Sequence, residues 1–144
     1  MRKCEDVIIY QDEAYYAAFP SIVCRPDGEL LVAFRRAPER RRFGADRCRH
    51  TDPNSYLVLV RSRELGRTWS SAPETIYAHP MAGSQDPCMV QLDDDSLLVS
   101  SYAWMLLPAQ GVGQASGKTP ARFGWNFAFL GGYLMRSYDA GATW

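Results

Sequence analysis

The amino-acid sequence predicts an all-β protein built from repeated four-stranded antiparallel sheets, and three observations support this prediction. The chain matches itself at two offsets, its apolar runs are short, and Asp, Gly and Pro residues separate these runs. Short runs rich in Val, Ile, Leu, Tyr and Met between such turns are typical of strands. No long segment has a helical period, so the prediction includes no major helix.

The internal repeat has two matched blocks. FPSIVCRPDGELLV, residues 19–32, corresponds to DPCMVQLDDDSLLV, residues 86–99, at an offset of 67 residues. YLVLVRSRELGRTW, residues 56–69, corresponds to GGYLMRSYDAGATW, residues 131–144, at an offset of 75 residues. Because a repeat implies one structural unit per copy, the difference between the offsets indicates an eight-residue insertion in the second copy.

Each copy predicts a series of short strands. The first copy predicts strands near 19–24, 30–35, 56–62 and 74–77, and the second near 87–92, 97–102 and 131–137. The segment RPDG and its counterpart LDDDS each predict a tight turn between the first two strands. Four antiparallel strands per repeat form the blade of a β-propeller, with a tandem β-sandwich as the alternative.

The predicted blades do not complete a ring. The first blade spans about 17–80, and an incomplete second blade spans about 84–144, ending before its fourth strand. Propellers typically close with four to eight blades. We therefore expect residues 1–144 to be part of a larger propeller, with the remaining blades or other chains closing the ring. The segment EDVIIY could supply a missing strand if several short chains assemble.

Composition excludes several classes of function. Sixteen basic and sixteen acidic residues give no net charge, so we expect neither a nucleic-acid partner nor a membrane partner. The four cysteines form no CxxC pair and the two histidines are far apart, which predicts no metal and no cofactor. The N-terminus lacks an apolar run long enough for a signal peptide, which predicts a cytoplasmic location by default. Cys24 and Cys88 lie in apolar runs and are predicted to be buried.

The repeated turn has a composition that closes a compact loop. Short polar side chains can bond to the backbone of their own turn, and glycine permits a positive φ angle. The second copy has an aspartate where the first has a longer glutamate, which predicts a less well fitted first turn. The residues of the two turns are Ser62, Glu64, Gly66, Thr68, Trp69, Ser137, Asp139, Gly141, Thr143 and Trp144.

This turn pattern, SxDxGxTW between the third and fourth strands, resembles the Asp-box, or BNR repeat, of the sialidase superfamily. The resemblance implies a propeller of about six blades in which the Asp-box is a structural turn remote from the active site. It also implies an exo-acting glycoside hydrolase with a glycan substrate, although a fragment of two blades is expected to be inactive alone. The alternative is a noncatalytic propeller that binds a carbohydrate or a protein.

The order of strands in a meander separates the turns from the candidate site. The Asp-box turns should lie at one end of each sheet. The starts of the first strands and the loops 35–55 and 103–130 should lie at the other end. We therefore expect a ligand site among the residues of these segments.

The resemblance suggests a catalytic residue and a source of positive charge. Sialidases carry the motif F/Y-R-I-P, but AAFPSI places Ala18 where that arginine is expected, so Arg35 or Arg36 is the candidate cation. The family's acid/base aspartate is matched best by Asp52, with Asp46 as the alternative. A carboxyl group there could protonate a leaving glycosidic oxygen. The family's tyrosine nucleophile and its glutamate partner are expected in later blades.

Two further features of this end are candidates for binding a sugar. Asp86 could hold a sugar hydroxyl, or could cap its own backbone before Pro87. The loop 103–130 is rich in aromatic residues, which could stack on a sugar ring or cover a blade edge. These aromatic residues are Trp104, Phe123, Trp125, Phe127 and Phe129.

Overall fold

The computed structural model describes residues 2–46, 48, 50–107, 118–122 and 125–144, with the backbone alone for 118–122, 125 and 126. The structure is all-β, with two antiparallel sheets and one short 3-10 helix, Arg40–Phe43. No helix in these ranges has the length and apolar character needed to cross a membrane.

The first sheet is a four-stranded meander. Its strands are β1 (Tyr15–Cys24), β2 (Leu30–Pro38), β3 (Tyr56–Ser62) and β4 (Glu74–Tyr77), and each pairs with the next along the chain. All four predicted strands are present, and β1 begins four residues earlier than predicted. Val, Ile, Leu and aromatic residues fill these strands, as strand propensity favours.

The second sheet has five strands grouped around a long hairpin. These strands are β5 (Gly83–Ser84), β6 (Cys88–Gln91), β7 (Leu97–Leu107), β8 (Lys118–Arg122) and β9 (Trp125–Ser137). Their order is β5-β7-β9-β8, with β6 also pairing with β7.

The prediction of a loop over 103–130 was wrong at both of its ends. Residues 103–107 continue β7 and residues 125–130 begin β9, and the ladder between them continues past an irregularity between Ala103 and Trp104. Aromatic residues favour strands, so the composition that suggested an aromatic loop extends a hairpin instead.

An irregularity in the first strand recurs in both copies of the repeat. In β1 the register shifts between Ala18 and Ser21, around Pro20. In the second sheet, Pro87 lies at the equivalent position, between β5 and β6. Proline has no N–H for the ladder, so each edge strand breaks its regular pairing there. By the same offset, Phe19 and Asp86 are equivalent residues immediately before the break.

The main core lies between the two sheets. Strand alternation sends one set of side chains from each sheet into this space. The residues are Leu31, Ala33, Leu57, Leu59 and Ile76 from the first sheet and Met89, Leu97 and Val99 from the second. Burying an aliphatic side chain of this size contributes about 1.5–3 kcal/mol, so this contact holds the sheets together.

The opposite face of the first sheet carries a smaller cluster. Val32, Phe34, Val58 and Val60 are buried there, and the N-terminal residues Ile9 and Tyr10 pack against them together with Tyr56 and Trp69. The central strands β2 and β3 are therefore apolar on both faces. The N-terminal segment covers part of the outer face.

The prediction that Cys24 and Cys88 are buried was wrong. Both cysteines are free thiols and are exposed to solvent. Most of the side chains on the same faces of β1 and β6 are exposed as well. The residues next to them, Val23 and Met89, point into the core instead. Alternation along the strand, rather than the apolar run, decides which residue is buried.

The two turns that resemble Asp-boxes, called the Asp-box turns here for that resemblance, have the same backbone. Leu65 and Gly66 have φ values of 54° and 86°, and the equivalent Ala140 and Gly141 have 60° and 86°. In each turn the serine hydroxyl accepts a hydrogen bond from the glycine N–H, at 2.9 Å for Ser62 and 2.8 Å for Ser137. Each tryptophan indole donates to the glycine carbonyl.

The register places these turns and the candidate site at opposite ends of the sheets. Leu30 pairs with Ser62 at the Asp-box end of the first sheet, and Arg36 pairs with Tyr56 at the other end. In the second sheet, Leu97 pairs with Ser137 at the Asp-box end, and Gly83 pairs with Trp104 at the other. The turns therefore lie at the opposite end from the segments in which the sequence predicts a site.

Candidate functional site

The loop between β2 and β3 docks onto the start of the second sheet and forms the floor of the candidate site. The Ser55 hydroxyl donates to the Ser84 carbonyl at 2.6 Å, and the Ser84 N–H donates to the Ser55 carbonyl at 2.9 Å. Gly83 allows this approach, because a Cβ atom there would lie 2.0 Å from the Asp52 carbonyl oxygen. The first sheet's loop and the second sheet's first strand are thus held together at one end.

Asp52 lies in this docked loop and is only 4% exposed. Its Oδ2 accepts from Arg40 Nε at 2.7 Å, and its Oδ1 accepts from Arg40 Nη2 at 3.0 Å. The Asn54 N–H donates to the same Oδ1 at 2.8 Å. Hydrogen bonding to Asp52 raises the pKa of Arg40 above its ordinary value. Arg40 is bound to both oxygens of Asp52, so a ligand that approaches this carboxylate competes with the Arg40 guanidinium.

Arg35 is the buried cation of the site, with a side chain that is 0% exposed. Burial lowers the pKa of Arg35 from its ordinary value, and the nearby Tyr16, Asp52 and Asp86 offset part of this effect. Its guanidinium carbon lies 5.8 Å from the centre of the Tyr16 ring. An arginine still keeps its proton in such surroundings. The positive charge of Arg35 is therefore stabilised in part by the negative charges of Asp52 and Asp86.

The strand register relates Arg35 to Ala18, the position at which the sialidase motif has an arginine. Arg35 pairs directly with Ala18 across β1 and β2. Paired residues extend from the same face of a sheet, so the side chains of Arg35 and Ala18 share one face of the first sheet. The cation is present, but it comes from the neighbouring strand and is compensated by the protein's own carboxylates.

Asp86, Tyr102 and His50 form a polar row beside Arg35. The Tyr102 hydroxyl donates to Asp86 Oδ2 at 3.0 Å and lies 3.5 Å from His50 Nε2, at the limit of a hydrogen bond. Burial, followed by the hydrogen bond to Asp86, raises the pKa of Tyr102. Asp86 Oδ1 is buried and has no hydrogen-bond partner among the described residues. This oxygen can accept a hydrogen bond from a ligand.

Gln85 fixes the backbone next to Asp86. This side chain is fully buried, and its amide nitrogen donates to the Gly83 carbonyl at 3.2 Å. The Ser101 hydroxyl donates to the Gln85 carbonyl at 3.1 Å. Asp86 therefore extends from a rigid backbone.

Aromatic rings border this polar row. The Phe19 and His50 rings meet edge to face at 5.0 Å between centres. On the second sheet, the centre of the Phe129 ring lies 6.1 Å from that of Tyr102 and 5.0 Å from that of Trp104. These rings come from β1, the docked loop, β7 and β9.

Several residues proposed from the sequence lie elsewhere. Arg36 extends to the other face of β2, where its guanidinium stacks 3.5 Å from the centre of the Tyr15 ring and binds Asp12 at 2.7 Å. Asp46 is exposed on the loop and is absent from the described contacts of Asp52 and Arg35. Phe123 and the side chain of Trp125 lie outside the described residues.

Sequence reasoning missed Arg40, His50, Tyr102 and Phe19. Tyr102 had a detectable signal, because the offset of 67 makes it the counterpart of Arg35 and therefore places it at the same end of its sheet. His50 and Arg40 had none, because their positions depend on the path of an irregular loop. No group of three or more His, Cys, Asp or Glu side chains in the described ranges is arranged to hold a metal ion.

The fold and this site define an all-β protein whose two sheets meet at a buried cluster of charged side chains bordered by aromatic rings. No family model matches the chain, and no curated protein matches it. It is similar to the crystal structure of a protein of unknown function from Dyadobacter fermentans DSM 18053, with 48% sequence identity and a TM-score of 0.89. The match covers 99% of this chain and 38% of that one, so this chain spans less than half of the length of its structural neighbour.

Proposed function

We propose that the protein is a sialidase-like glycoside hydrolase and that its glycan substrate binds at the end of the sheets opposite the Asp-box turns. One observation carries this proposal. Two carboxylates from successive sheets, Asp52 and Asp86, both offset the lowering of the pKa of the buried Arg35, and aromatic rings border this end of the sheets. Carboxylates suit the acid and base steps of glycoside hydrolysis, and aromatic faces suit the apolar face of a sugar ring.

Each polar residue has a distinct role in this proposal. A bound glycan displaces Arg40, and Asp52 then acts as the acid that protonates the leaving glycosidic oxygen and as the base that takes a proton from water. The side chain of Arg40 is one-third exposed, so it can swing toward solvent. Asp86 Oδ1 accepts a hydrogen bond from a sugar hydroxyl, which supplies the partner this oxygen lacks among the described residues.

The charge balance favours a sugar without a carboxylate. In sialidases an arginine is expected at the position of Ala18, but here the nearby cation is Arg35, and once Arg40 is displaced from Asp52 the carboxylates of Asp52 and Asp86 both act on Arg35. A ligand carboxylate at Arg35 would add a third negative charge to the same buried group. We therefore propose a neutral glycan rather than a sialoside.

We also propose that the two sheets are blades of a β-propeller. The repeat supports this, because Leu31 and Leu59 of the first sheet are buried against the second sheet. Their counterparts, Leu98 and Leu134, lie on the outer face of the second sheet, and Leu134 is 67% exposed. A third blade packed as the second packs on the first would cover them.

The test is hydrolysis of a panel of aryl glycosides, including a sialoside, by the full-length protein and its Asp52→Asn variant. We expect release of the aryl group from at least one neutral glycoside and a loss of about 100-fold or more in kcat for Asp52→Asn. Asp46→Asn is the matched control and should keep its activity. Equal activity in the wild type and Asp52→Asn would contradict the acid/base role.

A noncatalytic carbohydrate-binding protein is the second candidate. The observation that favours it is the bidentate ion pair, which leaves neither oxygen of Asp52 free. In that case no glycoside would be hydrolysed, and glycans would bind without displacing Arg40. Glycan binding by the wild type without turnover on any glycoside would select this function.

A further inference from the structure

Two groups of aromatic rings meet at the site end of the sheets, and we name them together the aromatic strip. Phe19 and His50 form one group, Tyr102, Phe129 and Trp104 form the other, and the Tyr102 hydroxyl lies 3.5 Å from His50 Nε2 where the groups meet. Phe19 is 40% exposed and Phe129 is 49% exposed, so ring surface is accessible in both groups. The strip is formed only where the docked loop brings His50 between the two sheets.

Phe19 is held in a backbone conformation that a phenylalanine seldom adopts. Its φ is 58°, in the left-handed region, within the irregularity of β1 between Ala18 and Ser21. Glycine adopts this conformation without the steric cost that a side chain brings. A strained residue with an exposed aromatic ring is a pattern found at ligand sites, where the strain fixes the direction of the side chain.

The strip combines ring faces with hydrogen-bonding groups. The Tyr102 hydroxyl contacts His50 Nε2 and Asp86, while the rings of His50 and Tyr102 contact the exposed rings of Phe19 and Phe129 respectively. A sugar chain has the same combination, since its rings carry apolar C–H faces and hydroxyl groups at their edges. The buried charges beneath the strip compensate one another, which suits an uncharged chain.

We propose that the aromatic strip binds an uncharged oligosaccharide of at least two sugar rings, one over the Phe19 side and one over the Phe129 side. The two exposed rings, Phe19 and Phe129, come from different sheets, so each can stack on a separate sugar ring. This inference rests on the proposed glycan site but not on hydrolysis, because a noncatalytic glycan-binding protein would use the same strip.

The variant Phe19→Gly separates ring contact from folding. Glycine relieves the positive φ, so we expect the full-length variant to keep or raise its melting temperature. Loss of the ring should weaken oligosaccharide binding about 2- to 12-fold. Leu65→Gly is the matched control, because Leu65 has a φ of 54° and is 71% exposed in the first Asp-box turn, at the far end of the sheet. It should bind like the wild type.

The measurement is calorimetric titration of the full-length wild type, Phe19→Gly, Phe129→Ala and Leu65→Gly with cellotetraose, maltotetraose, xylotetraose and mannotetraose. Wild-type binding to at least one of them is expected. The two strip variants should bind that tetrasaccharide more weakly, and should change the affinity for its monosaccharide less.

Three results would overturn the proposal. One is wild-type protein that binds none of the tetrasaccharides, and another is unchanged tetrasaccharide affinity in both strip variants. The third is a Phe129→Ala variant that unfolds at a much lower temperature while Phe19→Gly binds normally, because that pattern indicates a ring covered by another part of the protein. Tetrasaccharide binding without hydrolysis would leave the strip supported and the hydrolase rejected.

Discussion

The acidic residue of each Asp-box turn determines how completely that turn is closed. Asp139 accepts hydrogen bonds from the Thr143 N–H at 2.8 Å, from the Thr143 hydroxyl and from the Ser137 hydroxyl at 2.7 Å. Glu64, at the equivalent position, accepts from the Thr68 hydroxyl at 3.1 Å. The longer side chain cannot reach back into its own turn in the same way, so the prediction of a less well fitted first turn is confirmed.

Asp139→Asn should therefore destabilise the protein in a pH-dependent way. Hydrogen bonds from the Thr143 hydroxyl and N–H and from Ser137 lower the pKa of Asp139 from 3.8 to about 2. A lowered pKa in the folded state adds stability above the ordinary pKa, and this contribution is lost as pH falls from about 4 to about 2. Urea unfolding at a series of pH values should show a stability difference at pH 7 that shrinks below pH 4.

Glu64→Gln is the control for this prediction, because its carboxylate makes fewer bonds to the turn. It should change the free energy of unfolding less than Asp139→Asn at every pH. An Asp139→Asn variant that keeps its full stability at pH 7 would contradict the assignment of Asp139 as the closing residue of its turn.

At the scale of residues, the sequence predicted the positions of those side chains whose surroundings depend on residues nearby in the chain. The positions of the turn residues, of Asp52 and of Asp86 at their ends of the sheets followed from motifs and strand starts, and the roles of the two aspartates stay predictions. Whether Arg35 or Arg36 faces the site was not predicted, because one step along a strand reverses the side chain and the exact register was unknown. The Arg40–Asp52 pair depends on the shape of a loop that has no regular pattern.

At the scale of elements, the docking of one loop on one short strand creates the site. Ser55 and Ser84 exchange hydrogen bonds in both directions, and Gly83 leaves room for the Asp52 carbonyl oxygen beside it. This contact holds the loop that carries Asp52 against the strand that precedes Asp86. A regular loop on either sheet alone would not bring the two carboxylates to Arg35.

Gly83→Ala should disrupt this docking. The added Cβ would lie 2.0 Å from the Asp52 carbonyl oxygen and 2.7 Å from the Ser55 hydroxyl, so the loop must move. Overpacking of this kind typically costs about 1–3 kcal/mol, and we expect glycan binding to fall together with stability. Thermal unfolding and glycan titration of the full-length variant measure both effects.

Gly132→Ala is the matched control, because a Cβ at Gly132 would lie 3.5 Å from the Ser101 carbonyl oxygen, an ordinary contact. It should leave binding unchanged. A Gly83→Ala variant with wild-type stability and wild-type binding would show that the loop does not dock on β5 in solution.

The strands of the first sheet were predicted more accurately than the segment 103–130 of the second. Turn residues and alternating apolar runs located both ends of β3 and of β4. The error over 103–130 had a physical cause, since the aromatic residues that extend β7 and β9 are also typical of a binding loop. Periodicity over a few residues does not separate the two.

At the scale of the whole molecule, the two ends of the sheets have different chemistry. At the Asp-box end, Glu29 is bound by Arg25 at 2.7 Å, Arg61 at 3.1 Å and Arg63 at 3.2 Å. Arg61 also binds Glu74 and reaches the carbonyl of Ala140 in the second sheet, so this end fastens the sheets together. At the other end, the charges are buried beside exposed rings, which is the arrangement expected of a ligand site.

The outer face of the second sheet provides a test of the proposed propeller. Leu134→Cys should resist maleimide labelling in the full-length protein if a further blade covers it, and it should react in the isolated 144-residue chain. Leu65→Cys is the exposed control and should react in both. Labelling is measured by peptide mass spectrometry, because four native cysteines are present. Equally fast labelling of both positions in the full-length protein would contradict the propeller.

The central claim is that a glycan binds between Asp52 and Asp86 and displaces Arg40. A crystal structure of the full-length protein with a non-hydrolysable, sulfur-linked oligosaccharide tests it most directly. We predict a sugar ring within hydrogen-bonding distance of Asp52 and Asp86, with the guanidinium of Arg40 withdrawn from Asp52. A ligand bound elsewhere, with the Arg40–Asp52 ion pair intact, would contradict the claim.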